Sequence, residues 1–117
     1  ELKDIEKSWK EQGIEGTLLD EVRGGKKFIQ LYDIVVPKEN RGKGFGTKAI
    51  NQLKDYADKT GKIIHLSPSD SLGATSKGRL EKFYRGLGFK SNKKSRYGQI
   101  SPHEMYYEPK ISKMGKK

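Results

Sequence analysis

The residues best suited to chemistry lie in a glycine-rich segment in the first half of the chain. Residues 41–46 read R-G-K-G-F-G, between an apolar run at 34–36 and a patterned segment at 47–57. Three glycines within five residues permit positive φ and the close approach of a ligand to the backbone. The free N–H groups that begin a helix bind anions, and the helix dipole favours negative charge there. The segment therefore predicts a phosphate-binding turn between a strand and a helix.

The spacing of the glycines excludes two common phosphate-binding loops. A Walker A loop needs a second glycine five positions after the first, and a dinucleotide fingerprint needs G-x-G-x-x-G. Counted from Gly42, both patterns reach Thr47, which is not a glycine. The pattern that fits is R-x-x-G-x-G, formed by Arg41, Gly44 and Gly46.

A second chemically interesting segment closes a helix farther along the chain. Apolar side chains recur at spacings of three and four residues from 80 to 87, which predicts an amphipathic helix ended by Gly86 and Gly88. Tyr84 lies on its apolar stripe. A tyrosine hydroxyl at the edge of a core can donate a proton in catalysis, and the same ring can simply fill the core.

These segments need a sheet to position them. Apolar spacing and turn residues predict a helix at 1–12, a hairpin of strands at 14–22 and 26–36 joined by Gly24 and Gly25, a helix at 47–60, a strand at 62–66, another strand beginning at Phe89, and a last strand at 103–107. Parallel strands need a crossover connection such as a helix. We therefore expect the strands at 26–36 and 62–66 to lie parallel.

The two segments together resemble the GNAT superfamily of acyl-CoA-dependent N-acyltransferases. The match consists of R-x-x-G-x-G at 41–46 and F-Y-x-x-x-G-F at 83–89, and the resemblance covers about 14–109. It implies an α/β domain at 1–109 and a basic tail at 110–117. The expected fold is a compact mixed sheet, mostly antiparallel, with a central parallel strand pair, flanking helices and a shortened amino-terminal region. The chain departs from the family pattern at Lys77 and Leu80.

The resemblance also implies a chemistry, in which an acceptor amine attacks the thioester of acetyl-CoA directly and no metal is required. Tyr84 would be the general acid that protonates the departing thiolate. Asp33 is the candidate base, with Glu39, Glu104, His65 or a water chain as alternatives. His103, beside a proline, is expected to be exposed. The residues expected to bind acetyl-CoA are Ile34, Val35, Val36, Arg41, Gly42, Lys43, Gly44, Phe45, Gly46 and Thr47.

Composition leaves a second class of function open. The chain has 117 residues, no cysteine and a net charge of +10, and no apolar run approaches the roughly 20 residues of a membrane span. We expect a cytoplasmic location and no disulfide. Residues 90–117 carry eight Lys or Arg and two Glu. A basic field attracts polyanions, so the acceptor could be linked to a nucleic acid.

The alternative is a non-enzymatic nucleic-acid-binding domain built on this basic third. In that interpretation a set of aromatic rings stacks on bases while interleaved cations bind phosphates. The rings are Tyr97, Tyr106 and Tyr107, and the cations are Lys90, Lys93, Lys94 and Arg96.

Overall fold

A mixed five-stranded sheet organises the part of the chain that the structure describes. The computed structural model describes residues 2–36, 44–68, 77–93 and 103–110, apart from the side chains of Asp33 and Lys77. The elements are α1 (Leu2–Glu11), β1 (Glu15–Arg23), β2 (Lys26–Val35), α2 (Phe45–Thr60), β3 (Ile63–Leu66), α3 (Lys77–Gly86), β4 (Lys90–Ser91) and β5 (Met105–Tyr107). The strand order is β1-β2-β3-β5-β4. Only β2 and β3 are parallel among these pairs, which confirms the predicted fold class.

The β1–β2 hairpin follows from its turn residues. Gly24 and Gly25 have φ values of 57° and 80°, so both central residues of the turn are left-handed. Such a turn matches the twist of two antiparallel strands. It sets Arg23 opposite Lys26 and, farther along, Leu18 opposite Leu31.

The helices bury their apolar stripes against one face of the sheet. Leu2, Ile5 and Trp9 of α1 recur at spacings of three and four and are all buried. The buried stripe of α2 joins the same core cluster as alternate residues of the strands. The strand residues in this cluster are Leu18, Ile29, Leu31, Ile64, Leu66, Met105 and Tyr107. None of the described helices is long and apolar enough to cross a membrane.

Several boundaries differ from the predictions by one to three residues. Helix α2 begins at Phe45 rather than at Thr47, because Gly44, with φ 82°, is its N-cap and Phe45 and Gly46 already form its first turn. At the carboxy-terminal side, β4 begins at Lys90 rather than at Phe89, and β5 begins at Met105 rather than at 103. The basic tail predicted at 110–117 lies outside the described residues beyond Lys110.

Candidate active site

The central parallel strands part from each other at their carboxyl ends. Strand β3 pairs with β2 at three positions, which join 28–30 to 63–65. Strand β2 then runs on to Val35, whereas β3 ends at Leu66. Beyond the pairing of Gln30 with His65, the described part of the two strands records no further pairing between them. This opening, which we call the wedge, offers a place where an extended ligand can pair with β2.

The residues predicted to hold the pantetheine arm lie beside the wedge. Ile34 and Val35 belong to the end of β2, and Val36 follows directly. All three are half-buried. The side chains of Ile34 and Val36 pack against the main core cluster from its margin.

The amino-terminal end of α2 has the properties of an anion site. Gly44 caps the helix with no side-chain hydrogen bond from any described residue, and the first turn holds no acidic residue. The first amides of a helix lack intrahelical acceptors, so they are available to a negatively charged ligand. Phe45, Gly46 and Thr47 supply this first turn. Arg41, Gly42 and Lys43 lie outside the described residues.

Three elements converge where this helix begins. A Cβ atom added at Gly46 would stand 3.4 Å from Cζ of Phe83 in α3 and 3.5 Å from Cγ2 of Val36. The end of β2, the first turn of α2 and the side chain of Phe83 therefore meet at one glycine. A Cβ atom fits there at van der Waals distance, whereas a longer side chain would have to displace Phe83 or Val36.

Tyr84 lies on α3 directly after Phe83. Its side chain is buried, with ring centroids 5.2 Å from Phe83 and 5.4 Å from Phe89. Its carbonyl accepts the N–H groups of Leu87 and Phe89, at 3.0 and 3.1 Å, which closes the helix end. The candidate acid thus sits in a fixed turn of backbone.

The end of α3 is also tied to α2 and β5. The Lys54 ammonium donates to the carbonyl of Leu87 and stands 5.1 Å from the centroid of the Tyr107 ring. The Tyr107 hydroxyl donates to Asp58 at 2.9 Å. Burial and this carboxylate raise the pKa of Tyr107, so its hydroxyl keeps its proton. These contacts fix the turn that carries Tyr84.

The candidate bases differ in their location and exposure. Asp33 lies in β2 but its side chain is not described, and Glu39 lies outside the described residues. Glu104 is exposed. His65 has no exposed surface, and burial lowers its pKa to about 4 although Glu21 opposes that shift. His65 is therefore neutral near pH 7 and packs in the interior of the described residues.

His103 was predicted to be exposed, and that prediction is wrong. It is half-buried, its ring centroid is 4.3 Å from that of His65, and its Nδ1 lies 3.1 Å from Oγ of Ser67. Nε2 of His65 lies 3.0 Å from Oε1 of Glu21. We call Glu21, His65, Ser67 and His103 the polar cluster. Sequence reasoning treated the two histidines as separate residues and missed Glu21 and Ser67, because no local spacing relates residues 36 to 44 positions apart.

The nucleic-acid interpretation is not favoured by the placement of its aromatic rings. Tyr106 and Tyr107 were expected to stack on bases, but they are 9% and 4% exposed, so that prediction is wrong. Both faces of β5 are covered, and a buried ring cannot stack on a base. Lys90 and Lys93 are exposed, whereas Lys94, Arg96 and Tyr97 lie outside the described residues.

Comparisons with known proteins agree with this geometry. A family model described as the acetyltransferase (GNAT) family matches residues 13–89, a range that contains both the glycine-rich segment and Tyr84. The chain therefore belongs to the acetyltransferase (GNAT) family.

One curated relative and one solved structure are informative. The relative is an uncharacterized N-acetyltransferase of Methanocaldococcus jannaschii, 37% identical over 65 residues, which are 55% of this chain and 26% of the relative. The matched segment thus spans about a quarter of that protein's length. The crystal structure of the anti-CRISPR protein AcrVA5 is similar in fold, with a TM-score of 0.56 and 20% identity over 80% of this chain and 90% of that chain.

Proposed function

We propose that this member of the acetyltransferase (GNAT) family transfers the acetyl group of acetyl-CoA to an amine, by direct attack of the amine on the thioester. The observation that carries the proposal is the wedge between β2 and β3, with the amino-terminal end of α2, which has no side-chain cap hydrogen bond from a described residue, at the same end of β2. A long ligand with a pyrophosphate at one side and an amide-containing arm at the other fits these two features in series.

Each end of such a ligand would meet a different kind of partner. The pyrophosphate would lie on the amides of residues 44–47, assisted by Arg41, Gly42 and Lys43. The amides of the pantetheine arm would pair with the backbone of Ile34, Val35 and Val36 as an added strand. One backbone N–H of this segment would then stabilise the oxyanion that forms when the amine attacks.

The reaction moves two protons in opposite directions. The amine nitrogen bonds to the carbonyl carbon, the C–S bond breaks, and the thiolate takes a proton from the hydroxyl of Tyr84. The nitrogen loses one proton to a base, for which Asp33 is the carboxylate proposed from the sequence. The basic charge of the chain would assist the capture of the anionic donor.

The test of the site is calorimetry with acetyl-CoA on a matched pair of glycine variants. Gly44 and Gly25 have nearly equal φ values, 82° and 80°, and neither has an atom within 4 Å of an added Cβ. Both substitutions to Asp therefore impose a similar backbone strain, but only Gly44→Asp puts a carboxylate at the helix terminus. We expect Gly44→Asp to abolish binding and Gly25→Asp to keep it. Equal affinities in the two variants would remove the helix terminus from the site.

The proposed acid is tested by Tyr84→Phe. The ring stays in its aromatic contacts, so we expect stability and acetyl-CoA affinity to change little, while turnover falls about 10²-fold, the usual scale for a positioned acid. Thiol release with an acceptor amine measures the rate. Tyr56→Phe, at a half-buried tyrosine of α2, is the control. An unchanged rate in Tyr84→Phe would make Tyr84 a core residue only.

A further inference from the structure

The polar cluster lies at the point where the parallel strands part. His65 is the last residue of β3 that pairs with β2, and Ser67 follows two positions later, directly after the strand. His103 precedes β5 and contacts both of them. The cluster is thus built from two chain segments that meet at the carboxyl end of β3, beside the wedge.

The backbone around His103 is held by a buried asparagine. Nδ2 of Asn92 donates to the carbonyl of His103 at 3.0 Å, and the N–H of Asn92 donates to the carbonyl of Glu104 at 2.9 Å. Asn92 is 4% exposed. These two bonds fix the segment that presents the imidazole to the hydroxyl of Ser67, which is an exposed residue.

The hydrogen bonds of Ser67 give its hydroxyl a direction. Its oxygen accepts the N–H of Glu104 at 3.2 Å and lies 3.1 Å from Nδ1 of His103. A hydroxyl has one hydrogen to donate and two lone pairs. With the Glu104 amide as donor to the oxygen, the hydroxyl hydrogen is free to point at Nδ1, and one lone pair is left for a ligand proton.

We propose that Ser67 and His103 form a proton relay for the acceptor amine. As the amine nitrogen attacks, an N–H bond breaks and its proton bonds to Oγ of Ser67, while the original Ser67 proton passes to Nδ1 of His103. The imidazolium later releases that proton to water. The relay rests on the proposed acetyl transfer and supplies it with the base that the sequence assigned to Asp33.

The surroundings of His103 suit this role. Burial lowers its pKa, Glu21 raises it and Arg23 lowers it, with a net lowering that keeps the ring neutral and able to accept a proton near pH 7. The ring of His65 stands between His103 and Glu21, and Glu21 is held ionised because hydrogen bonds from Arg23 and His65 outweigh its burial and lower its pKa. A nearby carboxylate favours the imidazolium that the relay forms.

The first test measures the protonation of the His103 ring directly and does not depend on enzymatic turnover. Long-range proton–nitrogen NMR of the whole chain shows which ring nitrogen of His103 carries the hydrogen. At pH 7 we expect Nδ1 to be unprotonated. Its nitrogen chemical shift should change in Ser67→Ala and on addition of acetyl-CoA. Ser91→Ala, at an exposed serine whose hydroxyl accepts the N–H of Lys93 at 3.4 Å, should leave the ring signals unchanged. A hydrogen on Nδ1 at pH 7 would overturn the relay.

The second test measures thiol release from acetyl-CoA with an arylamine acceptor, which stays unprotonated through mildly acidic pH. We expect kcat/KM to fall as the pH drops through the lowered pKa of His103. In His103→Asn, which keeps an acceptor near Nδ1 but cannot hold the proton, the rate should fall about 10²-fold and lose this pH limb. Ser91→Ala, at an exposed serine outside the relay, should keep both the wild-type rate and the pH limb.

Calorimetry distinguishes failure of the proposed acetyl transfer from failure of the relay alone. If wild-type protein does not bind acetyl-CoA, the proposed function fails and the relay falls with it. If wild-type, Ser67→Ala and His103→Asn bind acetyl-CoA equally and the variants keep the wild-type rate and pH profile, the relay alone is overturned. If Asp33→Asn loses the fall of kcat/KM at low pH and His103→Asn keeps it, Asp33 is the base instead of His103.

Discussion

Ile64 and His65 are consecutive residues of β3 with no exposed surface, yet they belong to opposite faces of the sheet. Ile64 joins the core cluster formed with the three helices. His65 stacks on Phe28 with ring centroids 4.6 Å apart and bonds to Glu21. One face is closed by apolar packing, whereas the other encloses titratable groups.

The difference shows how a four-residue strand can serve two purposes. Apolar packing against helices makes the sheet rigid, and its energy does not depend on pH. A buried imidazole is stable only while it is neutral, because burial disfavours the charged form. The rigid face therefore positions the ends of β2 and β3, and the opposite face holds groups that can exchange protons beside the wedge.

The largest expected effect is on the apolar face. Ile64→Ala removes a fully buried side chain and leaves a cavity, which should lower the free energy of unfolding by about 3 kcal/mol. Leu19→Ala, at a residue that is 43% exposed on the other face, should change it by less than about 0.5 kcal/mol. Urea unfolding at pH 7 and pH 5 measures both. A cost for Ile64→Ala that depends on pH would contradict the contrast between the faces.

The next largest effect is the pH dependence of folding stability that His65 causes. The pKa of His65 is about 4 in the folded chain and 6.5 as its ordinary value, so between these values the unfolded chain binds more protons. Stability is then highest above pH 6.5 and is lost as the pH falls toward 4; from pH 7 to 5 the loss should be about 2 kcal/mol.

His65→Gln should remove most of that loss, since glutamine does not titrate. The remainder reports His103, whose pKa is lowered in the same direction. Urea unfolding of wild type and variant at the two pH values gives the comparison. An equal pH dependence in both proteins would show that His65 is not buried as a neutral ring.

Much of the fold could be predicted because its signals are local. The spacing of Leu2, Ile5 and Trp9, the Gly24–Gly25 turn and the crossover helix each depend on neighbouring residues, and the structure confirms all three. The start of α2 was misjudged because glycine and phenylalanine are weak helix formers, while the capping geometry of Gly44 decides the boundary.

The rest depends on contacts that no local pattern records. Met105, Tyr106 and Tyr107 are consecutive and all buried, because both faces of β5 are covered. An alternating apolar pattern, which marks one covered face, could not predict this burial. His103 was expected to be exposed because it lies beside Pro102. Its partners, His65 and Ser67, lie more than 30 residues away along the chain.

We propose that acetyl-CoA binds in the wedge and on the first turn of α2. Hydrogen–deuterium exchange of the whole chain, with and without saturating acetyl-CoA, tests it most directly. We expect slower exchange of the amides at 34–36 and 45–48, with the hairpin turn at Gly24 and Gly25 unchanged as an internal reference. Saturating acetyl-CoA that leaves 34–36 and 45–48 unprotected, or protects a different part of the sheet instead, would contradict it.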